Sequence, residues 1–239
     1  MPIRANALVV MAKAPVPGTV KTRLVPPFSF EEAAELYRCL LLDQIDNLNS
    51  FRDADLFLAF SPDEAASFFK EIVPAGFACF PQRGEDLGER MNHAFIELSN
   101  KGYKHIAIIG GDLPAFPQRF LEEAFVRLER SETDVVLGPS RDGGYYLIGM
   151  NRPIPEIFEE ITWGSDSVLS STIQKLSKLG LKPHLLPLWF DIDTPEDLRY
   201  LESVSNRFSA CSQQRTLRLL KKLTSATKAN SSKAGAPHR

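Results

Sequence analysis

Lys21 and Arg23 sit just past Gly18 in the loop Ala12-Lys13-Ala14-Pro15-Val16-Pro17-Gly18-Thr19-Val20-Lys21-Thr22-Arg23-Leu24. An ammonium and a forked guanidinium suit phosphate oxygens, and the backbone N–H groups around Gly18 add donors. The prolines fix φ and shape the turn. The loop is neither a Walker A sequence nor a G-x-G-x-x-G dinucleotide fingerprint. A second group, Gly110-Gly111-Asp112-Leu113-Pro114, offers a carboxylate beside backbone that a ligand can approach, a natural arrangement for Mg²⁺. A third, Asp191-Ile192-Asp193-Thr194-Pro195-Glu196-Asp197-Leu198, begins with two like charges one residue apart, a pairing tolerated near a cation. Its remainder reads as a helix start, with Thr194 as N-cap, Pro195 first and Asp197 third. Asp112 and Asp193 together make a candidate divalent-metal pair. The fourth group is Gly138-Pro139-Ser140-Arg141-Asp142-Gly143-Gly144-Tyr145-Tyr146. Asp142-Gly143 is a hairpin signal, and the second glycine beside paired tyrosines offers bare backbone to a flat or sugar-like group.

These groups need a frame. Apolar, β-branched or aromatic runs at Ala7–Met11, Asp55–Phe60, Phe77–Phe80, His105–Ile109, Asp134–Gly138, Tyr145–Met150 and His184–Leu188 read as strands. Helical periodicity fills Glu31–Leu48, Asp63–Ile72, Leu87–Ser99, Gln118–Glu129, Ser167–Leu179 and Pro195–Ser205. The alternation predicts an α/β fold: one mainly parallel, mixed sheet with helices on both faces and antiparallel pairing near Gly143-Gly144. The polar groups then fall in loops at the carboxyl ends of strands, where such folds bind ligands. A loop of about 19 residues ahead of the first helix is long enough to suggest a binding role.

Composition narrows the partners. With 239 residues and 44% hydrophobic content, the chain suffices for one domain with a full core. From Ser203 to the end there are eight Lys or Arg and no acid, leaving 20 basic against 30 acidic residues in 1–202. An acidic body of this kind argues against nucleic-acid binding. No apolar run is long enough for a membrane span. The stretch from Arg4 to Ala14 imitates a short signal peptide, but a buried first strand explains it more simply. Three scattered cysteines give neither a disulfide framework nor a zinc pattern, which fits a reduced, cytoplasmic setting. His93, His105 and His184 share no ligand spacing. The expected organisation is a body over 1–206, a C-terminal helix over 207–224 and a basic, disordered tail over 225–239.

Taken together, the motifs carry a resemblance. Ala12-Lys13-Ala14-Pro15-x-Pro17-Gly18-x-x-Lys21-Thr22-Arg23-Leu24, Gly84-x-Asp86-Leu87-Gly88-x-Arg90-Met91, Gly111-Asp112-x-Pro114, the Gly138–Gly149 stretch and Asp191-Ile192-Asp193-Thr194 occur in one order. Over residues 7–202 the chain resembles the bacterial glycosyltransferase-like "transferase 1, rSAM/selenodomain-associated" family. That family lies in the nucleotide-diphospho-sugar transferase superfamily, with the Rossmann-like glycosyltransferase-A (GT-A) fold. The chain also resembles, more distantly, phospholactate and molybdenum-cofactor guanylyltransferases, which share the Lys/Arg loop and the Gly-Asp-x-Pro element. The Asp191–Leu198 stretch is similar to one in sugar-acid cytidylyltransferases. Trp163-Gly164-Ser165 departs from the Trp-Ser-Thr of the pattern.

The resemblance implies a single GT-A domain and a Mg²⁺- or Mn²⁺-dependent transferase acting on a nucleotide-activated donor and a small-molecule acceptor. Lys21, Arg23 and Asp112 are the expected catalytic residues, and Asp112 and Asp193 the metal ligands. Donor and substrate contacts are expected from Ala12, Pro17, Gly18, Lys21, Arg23, Arg90, Asn92, Gly111, Asp142, Gly143 and Gly144. Two reactions fit: glycosyl transfer releasing a nucleoside diphosphate, or nucleotidyl transfer releasing pyrophosphate. The family label favours the first, and the early cationic loop favours the second. A non-catalytic nucleotide-binding protein is a third reading.

Overall fold

A computed structural model describes residues 4–130, 133–205, 215–223 and 225. The described residues build one α/β unit. Its strands are β1 (Asn6–Lys13), β2 (Asp55–Ser61), β3 (Phe77–Pro81), β4 (His105–Gly110), β5 (Val135–Pro139), β6 (Tyr145–Met150) and β7 (Pro183–Leu185). Its helices are α1 (Phe30–Leu48), α2 (Ala66–Ile72), α3 (Leu87–Asn100), α4 (Gln118–Glu129), α5 (Val168–Lys178) and α6 (Pro195–Val204). The strands form one sheet in the order β3-β2-β1-β4-β6-β5-β7. Only β6 runs against its neighbours, pairing antiparallel with both β4 and β5.

β1 is central, with Val9 level with Phe57 of β2 on one side and Ile108 of β4 on the other. A strand covered on both faces must be apolar throughout, which explains Ala7-Leu8-Val9-Val10. Alternate residues feed opposite cores. Leu8, Val10 and Ala12 pack with Leu41 and Ile45 of α1, Phe69 of α2 and Leu121 of α4. Ala7 and Val9 pack with Phe95 and Leu98 of α3 and Leu176 of α5. A third cluster joins the outer face of α1 (Leu36, Leu40) to Leu198 and Leu201 of α6.

The expected elements are present with shifted ends. The helix expected over Asp63–Ile72 is a 3₁₀ turn (Asp63–Ala65) followed by α2, and another 3₁₀ turn (Thr22–Leu24) interrupts the long first loop. The last strand ends at Leu185 instead of Leu188, two residues short of Pro187, which has no N–H to add to a ladder. α6 starts as read, with Thr194 and Asp197 in a reciprocal capping box. No helix among the described residues is long and apolar enough to cross a membrane. Of the expected C-terminal helix, residues 215–223 are helical. The remaining positions of that helix, and the tail beyond Ser225, lie outside the described residues.

Residues 215–223 are tied to α1 through buried Asp43. Its carboxylate accepts from the Thr216 N–H (2.9 Å), the Thr216 hydroxyl (2.8 Å) and Arg215 Nη1 (3.2 Å). Asp43→Ala strands buried donors, so urea denaturation is expected to register a loss of about 1–3 kcal/mol. The loss should be smaller when Asp43→Ala is made in a Thr216→Val, Arg215→Ala background, where only the backbone N–H groups remain to be stranded.

Candidate active site

Parallel β1, β4 and β7 and the β5–β6 hairpin send four connections to one edge of the sheet. The chain order reverses direction between β1 and β4, the switch point at which open α/β sheets form crevices. Lys21, Asp112 and Asp193 meet there. Lys21 Nζ donates to Asp112 Oδ2 and, at 2.6 Å, to Asp193 Oδ1. Arg23 Nη1 lies 4.0 Å from the other Asp193 oxygen.

Each partner is held from behind. Lys21 takes a left-handed backbone (φ 50°), unusual for a residue with a Cβ. Its stem is buried, with Nζ 5.9 Å from the centre of the Tyr37 ring. Asp112 is flanked by two contacts from buried Gln44 of α1: Gln44 Nε2 donates to Gly110 O (2.8 Å) and its Oε1 accepts from Leu113 N–H (3.2 Å). Gly111 lies so close to β1 that a Cβ would stand 3.0 Å from Met11 O. The Asp197 carboxylate accepts from the N–H groups of both Asp193 (3.1 Å) and Thr194 (2.7 Å), fixing the chain that carries Asp193.

The charges depend on one another. Burial alone would lower the Lys21 pKa, but Asp112 and Asp193 outweigh it and hold the ammonium well above its ordinary range. Burial would raise Asp193, yet Lys21 brings it below the usual carboxylate value. Asp191 has no such partner. Burial, then repulsion from Asp112, Asp193 and Asp142, pushes it up to about 7, although Ser140 Oγ donates to it at 3.1 Å.

Two cavities share the Asp112 wall. The larger, about 630 Å³, is lined by Lys13, Lys21, Arg23 and Arg90 and by Gln82, Glu85, Asp86 and Asp193. The smaller, about 220 Å³, is lined by Ser140, Asp142, Asp191, Tyr145, Trp163 and Ser165 above an apolar floor. Among the described residues no group of three or more His, Cys, Asp or Glu comes together as a metal cage. Two carboxylates around one ammonium do meet, so the position favours positive charge. Mg²⁺ needs only one or two carboxylates when water and phosphate complete its shell. Asp112 and Asp193 fit that requirement.

Of the residues expected from sequence, Ala12, Lys21, Arg23, Arg90, Gly111, Asp112 and Asp193 line the larger cavity. Asp142 and Gly144 line the smaller one. Pro17, Gly18, Gly143 and Asn92 line neither. Gly18 supplies a turn at φ 80°. Gly143 (φ 88°) lets the hairpin loop rest on Asp166, whose carbonyl oxygen would lie 2.1 Å from an added Cβ. Asn92 follows Met91 on α3, and successive helical residues turn by about 100°, so Arg90 and Asn92 point to nearly opposite sides. Its Oδ1 is buried without a protein partner. Sequence reasoning set aside Asp191, although the same like-charge pairing that flagged Asp193 flagged it equally. Gln82 and Tyr37 carried no local signal.

The chain belongs to the family described as "uncharacterized protein conserved in bacteria (DUF2064)", whose pattern matches residues 44–165. A phosphoenolpyruvate guanylyltransferase of Chloroflexus aggregans is 29% identical over 131 residues, a match spanning 52% of this chain but only 61% of that protein's length. A 2-phospho-L-lactate guanylyltransferase of Archaeoglobus profundus is 28% identical over 76% of this chain and 77% of its own. A crystal structure from Desulfovibrio desulfuricans G20, described as a nucleotide-diphospho-sugar transferase, aligns with a TM-score of 0.85 and 32% identity, covering 93% of this chain and 96% of that one. These proteins are transferases by name, and by kinship the chain falls in that class. The family match is to this group, not specifically to the selenodomain-associated transferases.

Two consequences can be measured without knowing a substrate. Lys21→Met leaves Asp112 and Asp193 facing each other, so in metal-free buffer at pH 7 unfolding should cost about 2–4 kcal/mol less. Acid or millimolar MgCl₂ should shrink that deficit; equal stability of variant and parent would contradict it. Asp191 keeps its proton in the folded state to higher pH than in the unfolded chain, so its contribution to stability falls as pH rises from about 4 to about 7. With EDTA present, Asp191→Asn should therefore gain on the parent between pH 5 and pH 8, whereas parallel stability curves would refute the shift.

Proposed function

We propose that this DUF2064 protein is a divalent-cation-dependent nucleotidyltransferase that takes a nucleoside triphosphate in the larger cavity and a small acceptor in the smaller. The observation that carries the reading is the placement of Lys13, Lys21 and Arg23 on the larger cavity, with Asp112 standing on the wall between the two. A triphosphate laid across Lys21 and Arg23 brings its α-phosphorus toward that wall. An acceptor oxygen then bonds to the α-phosphorus, the bridge to the β-phosphate breaks, and pyrophosphate leaves.

The chain's cations meet the leaving group. Lys21 and Arg23 face the oxygens that gather charge as pyrophosphate departs, and stabilisation of that kind is worth about 10²–10³ in rate for a single well-placed donor. Arg90, with Nε donating to Gly84 O (3.0 Å), lies at the end of the cavity that carries Gln82, Glu85 and Asp86. That end suits the base and ribose. Mg²⁺ or Mn²⁺, held by Asp112 and Asp193, would supply Lewis-acid neutralisation of phosphate charge.

The guanylyltransferase names of the relatives support this reaction. Glycosyl transfer is the second reading, favoured by the description of the Desulfovibrio structure. The motifs shared with rSAM/selenodomain-associated transferases support placing the chain in that finer group.

A thermal-shift series in MgCl₂ with nucleoside triphosphates and nucleotide-diphospho-sugars separates the two reactions. A triphosphate at 100 times its dissociation constant should stabilise the protein by about 2.7 kcal/mol. Stabilisation by nucleotide sugars alone would overturn nucleotidyl transfer. Asp112→Asn and Asp193→Asn should keep the fold and lose turnover by about 10²-fold or more.

A further inference from the structure

The smaller cavity differs in charge from what the relatives' substrates require. Among the described residues its lining includes three carboxylates, Asp112, Asp142 and Asp191, and no lysine, arginine or histidine. Arg141, the cation of the hairpin loop, is drawn away onto the Tyr200 ring, its guanidinium carbon 4.2 Å from the ring centre. Lys21 faces the larger cavity and is bonded to Asp112 and Asp193. Phosphoenolpyruvate and 2-phospho-L-lactate each carry a phosphate ester and a carboxylate on one carbon, so the two negative groups enter a site together. Such a molecule in the smaller cavity would bring its negative charge against Asp142 and Asp191, and no cation in the described lining offsets it.

The same walls suit a different molecule. Carboxylates accept hydrogen bonds from hydroxyl groups, and Ser140 and Ser165 add hydroxyls that donate or accept. Tyr145 and Trp163 form an edge-on aromatic pair (6.4 Å, 85°), an apolar surface for the C–H face of a ring. Trp163 packs on Gly88 so closely that an added Cβ would lie 2.6 Å from the indole, so the glycine is what admits the ring. The indole N–H is buried and has no acceptor among the described residues. At about 220 Å³ the space is below the usual range for drug-sized ligands.

We infer that the smaller cavity binds a polyhydroxylated, ring-sized molecule without negative charge, in place of the phosphorylated acids named for the relatives. Calling that molecule the acceptor rests on the proposed nucleotide-donor reaction; its binding does not.

Saturation-transfer NMR on the full chain in EDTA-containing buffer tests the inference, with D-glucose, myo-inositol and glycerol as one set of probes and phosphoenolpyruvate and 2-phospho-L-lactate as the other. At millimolar concentration at least one polyol should receive saturation that falls threefold or more in Trp163→Ala, while the phospho-acids receive none that depends on Trp163. Trp163→Phe keeps the ring if the alanine variant does not fold, and should show a smaller drop of the same sign. Trp163-dependent saturation of a phospho-acid overturns the inference, and so does the absence of Trp163-dependent saturation from every polyol. Thermal shifts with triphosphates and MgCl₂ on the same samples keep the two proposals apart. Polyol binding without triphosphate stabilisation sinks the nucleotide reading alone, and the converse sinks the polyol site alone.

Discussion

Two carboxylates and one ammonium must be held together at the edge of a sheet, and much of the surrounding structure serves that requirement. Lys21 lies 91 residues from Asp112 and 172 from Asp193 in sequence. Three connections must therefore end at one point. The buried ammonium is held charged by both carboxylates, and it in turn holds Asp193 below the usual carboxylate range. The left-handed backbone at Lys21 is the local cost of aiming its side chain inward.

The supports for this centre are packing devices that double as positioning devices. Gln44 projects from a helix otherwise occupied with the core and braces the loop on both sides of Asp112. Gly111 lets that loop close on β1. Asp197 caps α6 and, through the same oxygen, holds the backbone of Asp193. Stability and site geometry are thus coupled at Gln44, Gly111 and Asp197, although none of these side chains carries the chemistry itself.

Features governed by local rules were legible in the sequence. Strand and helix periodicity gave the α/β class and the antiparallel late strand, and Thr194-Pro195-x-Asp197 marked the start of α6 at the correct residue. Asp112, just past β4, and Asp193, just ahead of α6, were legible because they lacked a structural explanation. The bridging of Asp112 and Asp193 by Lys21 was not, since spacing says nothing about meetings across such distances. Lys21 read as a phosphate contact, and its bonds to both acids carried no local signal. Arg90 and Asn92 were both expected at the donor from the resemblance; of the two, Arg90 lines the larger cavity and Asn92 points to another side of α3. Gln82, Tyr37 and Trp163 sit in segments whose packing partners come from elsewhere in the chain.

The division of charge between the cavities joins these observations. The side where a triphosphate would lie has four cations beside its acids; the other has acids and aromatics and no cation in the described lining; Asp112 stands between. The most direct measurement is phosphorus NMR of the leaving group, with MgCl₂, each donor in turn and a small-molecule cell extract as the acceptor source. Pyrophosphate formed from a nucleoside triphosphate, and lost in Asp112→Asn, is the expected result. Nucleoside diphosphate released from a nucleotide sugar, with no pyrophosphate from any triphosphate, would contradict it.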